Sequence, residues 1–273
     1  MNTDFHLGTD AKPHAGPLTG VNLLITRPVM PASRTATRVA ALGATPLVFP
    51  TTIIESAADV KPLNAALASI NDFYAAIFVS PSAAEMTLAP IGTVAKKLPS
   101  TLRVFAPGPG TAEELSLRGV ERVEMPTTTF DSEGLLALAS LQANTVKAKR
   151  IVIFRGNDGR ELLREALLKR GAAVDAVTAY RRRAPSTSPD GLLELLRAGS
   201  VNAISAMSSD AITHLVRLVP VAERATLLLA LPVYASHERI AATARAAGFR
   251  NVIETLSGDA GLIPALLARS HPL

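Results

Sequence analysis

The chain has 273 residues, 48% of them hydrophobic, a formal net charge of +5, no cysteine, no tryptophan and only 4% aromatics. That length supports one large or two smaller domains with their own cores. It leaves no disulfide framework, thiol nucleophile or thiolate metal site, and no ring-rich platform on which nucleic-acid bases could stack. The 21 arginines against 7 lysines suit anions, because the guanidinium fork grips carboxylate or phosphate at two points; a GC-rich genome would also produce the bias. No like-charge run exceeds Arg181 to Arg183, so a nucleic-acid tail is not expected.

The first segment, residues 1–20, is polar without an apolar core, and reads as a flexible tail rather than an export signal. A protein of the cytoplasm is the expectation, and the most apolar run, "ATLLLALPVYA", is too short for a bilayer and contains a proline. The five histidines, His6, His14, His214, His237 and His271, form no pair at helical ligand spacing. "VNLLITRP" then predicts a strand and turn, and "PASRTATRVAALGA" a helix closed by Gly43. "AAIFVSPSAAEMTL", "RVFAPGPGTAEELSLRG" and "RVEMPTTTFDSEGLLALASL" repeat this strand–turn–helix order, with Ser82, Thr111 and Asp131 or Ser132 as candidate N-caps. Such alternation predicts an α/β fold with parallel sheets.

The grammar also recurs at long period. Arg155 lies 128 positions after Arg27, and Gly171 after Gly43; Ser208 lies 128 after Ser80. "GVERVE" matches "GFRNVIE" and "SEGLL" matches "DAGLI" at nearly the same offset. Four units in one order at one spacing point to a duplication into two similar lobes. Within each copy the segment after the first helix, "ATPLVFPTTIIES" or "AAVDAVTAYRRRAP", is long and polar at its far end for a buried parallel strand. Both read as connectors between lobes, with a cleft beside them where strand ends would meet a ligand.

Candidate site residues stand at those strand ends. In "RIVIFRGNDGRELL", Arg155, Gly156 and Arg160 frame a turn at the start of a helix, whose free amides and positive dipole end favour an anion. "FAPGPGTAEEL" brings Gly110 and Thr111, but Glu113 stands where a dinucleotide fingerprint wants glycine; a tight capping turn or an anion-facing turn both fit. Ser80, Ser82, Ser208 and Ser209 follow strands in equivalent places and either cap helices or bind a carboxylate. None has the flanking glycines of a nucleophile elbow. Ser236 and His237 open a helix, and Tyr180 sits beside three arginines.

Taken together, "TRP" at Arg27, "PGTAEEL" at Thr111, "RGNDGRELL", "AYRR" at Tyr180 and "SHERIA" at Ser236 resemble the uroporphyrinogen-III synthases, in the right order over about residues 20 to 270. The resemblance implies two flavodoxin-like parallel-sheet lobes joined by a two-stranded antiparallel connector, with reciprocal chain crossing. Its boundaries would be residues 21–46 plus 185–273 for one lobe, 54–172 for the other, and 47–53 and 173–184 for the connecting strands. It implies a linear tetrapyrrole polycarboxylate as substrate, hydroxymethylbilane, cyclised with loss of water and inversion of ring D. Tyr180 becomes the expected proton donor, since a phenol keeps its proton at neutral pH, with His237 as a second candidate. Arg27, Ser80, Ser82, Gly110, Thr111, Arg155, Gly156, Arg160, Ser208, Ser209, Ser236 and His237 become expected substrate contacts. No metal or organic cofactor, nucleic acid or membrane is implied. The chain would act as a monomer, with room for a transient contact with the preceding pathway enzyme. The competing reading is a non-catalytic two-lobed binding protein for a polycarboxylate ligand. Receiver modules fit poorly, because the strand ends carry Arg27, Ser80, Arg155 and Ser208 rather than aspartates.

Overall fold

The computed structural model describes residues 15–89, 98–157, 161–183, 185 and 188–270. In chain order it opens with β1 (Asn22–Ile25), α1 (Val29–Ala40) and β2 (Thr45–Val48). There follow β3 (Ile53–Ser56), α2 (Lys61–Ala68), β4 (Ala75–Phe78), α3 (Pro81–Leu88), β5 (Arg103–Phe105) and α4 (Pro109–Leu117). Next come α5 (Ser132–Ala137), α6 (Ala143–Val146), β6 (Arg150–Gly156), α7 (Leu162–Lys169) and β7 (Ala173–Arg183). The chain ends with α8 (Asp190–Arg197), β8 (Ala203–Ala206), α9 (Ser209–Leu218), α10 (Val221–Leu227), β9 (Val233–Ser236), α11 (Glu238–Ala246), β10 (Val252–Thr255) and α12 (Asp259–Ser270).

Two units divide at Ile53/Ile54 and Arg182/Arg183. The first takes its sheet from both ends of the chain, in the order β10-β9-β8-β1-β2, every pair parallel. Read from β2 this is the 2-1-3-4-5 arrangement of flavodoxin-like folds. The second has the order β3-β7-β6-β4-β5, with β5, β4, β6 and β7 parallel. Parallel strands need helices on both faces, and the burial follows: β4, β8 and β9 are buried at every residue. In β1, Leu24 packs into one apolar cluster while Leu23 and Ile25 pack into another on the opposite face. In β6, Val152 and Phe154 face one cluster and Ile151 and Ile153 the other.

The duplication is visible in the neighbour order. The run β9-β8-β1-β2 of the first sheet matches β5-β4-β6-β7 of the second. Beyond β5 an isolated parallel bridge joins Phe105 to Glu124, where the first sheet has β10 beside β9. Smaller features repeat as well. Gly43 and Gly171 close α1 and α7 with φ of 95° and 83°, a left-handed turn that glycine adopts without steric cost. A Cβ on Gly134 would lie 1.8 Å from Thr129 O, and one on Gly261 2.0 Å from Leu256 O. The same backbone contact forces glycine in both copies.

Two sequence expectations change here, the extent of the tail and the helix caps. Residues 1–14 lie outside the described residues, but the tail does not extend to residue 20. Leu18 is fully buried and its N–H donates to Leu42 O at 2.8 Å. The unit boundaries at 53/54 and 182/183 fall at the ends of the two expected connectors, and each connector begins within a sheet: Thr45–Val48 pairs in parallel with β1, and Ala173–Arg183 in parallel with β6. Its far end, Arg181 to Arg183, is exposed because the ladder to β6 stops at Tyr180. Finally, Ser82 and Thr111 do not cap. The caps are Ser80 and Gly108, because Pro81 and Pro109 take the first helical position, where a missing N–H costs nothing. No helix of the described residues is long and apolar enough to cross a membrane.

Candidate active site

In a parallel sheet the strands end on one side, and open α/β sheets bind ligands there. On the second unit this end gathers Ser80 after β4, Arg155 and Gly156 closing β6, and Tyr180 in β7. Ser80 Oγ accepts from Ala83 N at 3.1 Å, fixing the start of α3, and lies 3.0 Å from Tyr180 Oη. Arg182 Nη2 donates to the same phenol oxygen at 3.1 Å, and its guanidinium carbon stands 5.6 Å from the ring centroid. Asn157 locks the corner: its N–H donates to Tyr180 O at 3.1 Å and its Oδ1 accepts from Arg182 N at 3.2 Å.

The ring's direction comes from a register slip. Arg155 stands opposite Thr178, but Gly156 stands opposite Tyr180, skipping Ala179. An extra residue of this kind re-aims a side chain. Ala179 and Tyr180, which strict alternation would send to opposite faces, both join the cluster containing Phe78 and Phe154. Those two rings stack at 5.0 Å. The phenol then packs against Gly156, where a Cβ would stand 2.9 Å from Cζ and 3.1 Å from Oη. Tyr180 is left 1% exposed, not open among three arginines as its sequence neighbourhood suggests. Arg181 pairs instead with Glu55 at 2.8 Å.

Arg155 is partly committed. Its Nη1 donates to Glu161 Oε1 at 2.5 Å, and that hydrogen bond holds the Glu161 carboxyl below the usual carboxylate range against the opposing pull of desolvation. Its Nε is buried without a hydrogen-bond partner among the described residues. Arg160 lies outside the described residues. Ser82, half-buried, is the second residue of α3. Gly110 follows Pro109 in α4, with a Cβ position 4.0 Å from Pro81, and Thr111 is 4% exposed inside that helix.

On the first unit Ser208 caps α9 as Ser80 caps α3, accepting from Ala211 N at 3.1 Å. Ser209 Oγ accepts from Thr243 Oγ1 at 3.0 Å, and Ser236 is 2% exposed at the end of β9. His237 caps α11 with φ 108° and ψ 148°, a region that essentially only glycine occupies. Arg27 is drawn inward: Nη1 reaches Thr35 Oγ1 and Asp259 Oδ1, both at 2.9 Å. Asp259 also holds Arg38 at 2.8 Å and accepts from Thr35 Oγ1 at 2.7 Å. A guanidinium bound to a buried carboxylate is already neutralised, which competes with any role on a substrate acid.

Sequence reasoning did not single out Arg182 or Asn157. Arg182 had a signal, since two residues from Tyr180 along a strand means the same face. Asn157 had none, because its partners lie on a neighbouring strand.

The family model described as uroporphyrinogen-III synthase HemD matches residues 33–262. The chain is 30% identical over 234 residues to the uroporphyrinogen-III synthase of Salmonella typhimurium, covering 85% of this chain and 94% of that one. It is 31% identical over 207 residues to that of Synechococcus elongatus, covering 74% and 76%. Among solved structures, a mutant uroporphyrinogen III synthase from Thermus thermophilus superposes with a TM-score of 0.54 at 19% identity, covering 92% of this chain and 100% of that one. The Helicobacter pylori synthetase gives 0.52 at 11% identity, covering 87% and 93%. At such identities the structures speak for the fold, and the sequence matches carry the assignment: the chain belongs to the uroporphyrinogen-III synthase family.

Proposed function

We infer that the chain is a cyclising lyase of the tetrapyrrole pathway that closes hydroxymethylbilane into uroporphyrinogen III, inverting ring D and releasing water. The observation that carries this reading is the family match across residues 33–262. It does not favour the alternative of a non-catalytic polycarboxylate-binding protein.

The chemistry asks two things of the protein. The terminal hydroxyl must leave as water, which needs a proton, and the resulting electrophile must be met by the substituted α-carbon of ring D rather than by that ring's free α-carbon, the easier position. The second is a matter of holding the ends of the chain in one geometry. For the first, we take the Tyr180 phenol as the source of the proton. The assignment is supported by its hydrogen bonds to Ser80 and Arg182 at the carboxyl ends of β4 and β7. Arg182 already donates to the phenol oxygen, so the phenol's own hydrogen is directed away from it.

The acetate and propionate arms of the bilane call for donors. On the second unit Ser80, Ser82, Gly110, Thr111, Arg155, Gly156 and Arg160 are assigned to them, with the buried Arg155 Nε supporting Arg155. Arg27, Ser208, Ser209, Ser236 and His237 carry the same assignment on the first unit. This reading has the chain act in the cytoplasm as a monomer that meets the preceding pathway enzyme in passing; sedimentation with and without that enzyme tests both points.

Incubation with freshly made hydroxymethylbilane, followed by separation of type I from type III porphyrins, tests the function. Type III product is expected; type I alone, at the rate of the unassisted reaction, overturns it.

A further inference from the structure

The Tyr180 phenol is 1% exposed, whereas Ser80, bonded to it, is only partly buried. A side chain sealed that completely does not touch a leaving group without the unit opening. The hydroxyl beside it does not have this difficulty. Ser80 Oγ accepts from Ala83 N and can accept a second hydrogen from Tyr180, which leaves its own O–H to point elsewhere. Tyr180 Oη in turn accepts from Arg182. The Ser80–Tyr180 bond can run with the phenol as donor, and in that direction the three groups form one chain, cation to phenol to hydroxyl.

We propose that Ser80 hands the proton to the departing hydroxyl, that Tyr180 replaces it across their 3.0 Å hydrogen bond, and that Arg182 holds the phenolate left behind. The proposal rests on the cyclising activity inferred above. The step balances. The substrate carbon–oxygen bond breaks with both electrons going to oxygen, which takes the Ser80 proton and departs as water. Ser80 takes the Tyr180 proton. After the spiro intermediate fragments and the inverted ring D recloses through its free α-carbon, that carbon sheds its hydrogen as a proton while the ring regains aromaticity, and the proton restores the phenol. Net change in the protein is none, and the products are the macrocycle and water. Ser80 is then the catalytic residue, and Arg182 and Gly156 are positioning residues for the phenol.

The test uses the whole chain and hydroxymethylbilane, comparing wild type with Ser80→Gly, Ser80→Thr, Tyr180→Phe and the Ser80→Gly/Tyr180→Phe double variant. Glycine is chosen over alanine because it keeps most of the helix cap. Ser80→Gly should lower kcat about 100-fold, the scale of a lost general acid, with KM little changed. Ser80→Thr, which restores a hydroxyl, should recover most of it. The double variant should be no worse than either single change to within about twofold, because one broken link already stops the relay. Ser80→Gly turning over like wild type while Tyr180→Phe fails means the phenol donates directly and overturns the relay. Fully multiplicative losses, or no rescue by threonine in a folded variant, overturn it too. A wild-type chain that makes no type III product instead overturns the activity on which the proposal stands.

Discussion

The aromatic ring of Tyr180 occupies the space that a side chain at Gly156 would need: a Cβ there would stand 2.9 Å from Cζ, 3.0 Å from Cε2 and 3.1 Å from Oη. Nothing about the Gly156 backbone is left-handed, so its φ does not require glycine. The requirement is the ring. Gly156→Ala should therefore push the phenol off Ser80 and Arg182. A loss of stability of about 1–3 kcal/mol, typical of overpacking, is expected, with a larger proportional loss of turnover. Thermal unfolding and initial rates on the bilane check this; normal turnover would mean the phenol's placement is unimportant.

Asp259 joins the two ends of the first unit. It is 5% exposed and pairs with Arg27, 13% exposed, and Arg38, 41% exposed, while also accepting from Thr35. Removing its carboxylate takes a counter-charge from Arg27 in a largely dry place, whereas Arg38 can turn to water. Asp259→Ala is expected to cost about 2–4 kcal/mol, near the range for breaking one side of a buried pair. Denaturant titration measures it. An effect under about 1 kcal/mol would show that the cluster behaves as an exposed pair.

His237 holds φ 108° and ψ 148° without being glycine. Conformations of this class cost about 1–3 kcal/mol for a residue with a side chain. His237→Gly should raise the unfolding free energy by part of that amount. If the imidazole serves the substrate, the same variant should raise KM. Stability gained with KM unchanged would leave the side chain no part in binding.

The first unit also carries a pair of acids with a definite pH signature. A hydrogen bond between Glu238 and Glu254 lowers the first carboxyl and raises the second from the ordinary carboxylate value. A raised folded-state value means the contribution is present at acid pH, where the shared proton is bound, and is lost as pH rises through that value. Glu254→Gln supplies a permanent donor. It should stabilise the protein at neutral pH and give no gain near pH 4, a difference read from thermal midpoints across pH. The opposite trend would mean the two carboxyls do not share a proton in solution.

Glu161 has the opposite sign. The Arg155 hydrogen bond lowers its carboxyl, so that pair contributes above the ordinary carboxylate range and fades as pH falls below it. Arg155 freed by Glu161→Gln should bind substrate carboxylates more tightly, seen as a lower KM at unchanged kcat. A higher KM would mean Glu161 holds Arg155 in its working position.

Much of this architecture was legible along the chain. Apolar runs of four or five residues, each followed by a serine, glycine or arginine turn and a helix-period pattern, are local signals; they located β1, β4, β6 and β8 with their helices. The repeat was legible because Gly43 and Gly171, Ser80 and Ser208, and Gly134 and Gly261 answer the same backbone demand twice. Tyr180 was legible as a candidate from its motif alone.

Other features depend on which strands become neighbours, and periodicity carries no such information. The slip that stands Gly156 opposite Tyr180 turns the phenol against Ser80, 100 positions away, and buries it. The same pairing seats the apolar part of Ala173–Arg183 in a sheet, while its polar end runs to the unit boundary at Arg182/Arg183. Arg27 reads as a substrate cation, and its bond to Asp259, 232 positions on, has no trace in its sequence neighbourhood. Local hydrophobic order selects the elements, but long-range hydrogen bonds and ion pairs select their partners, and the chemistry of the site lies in those partners.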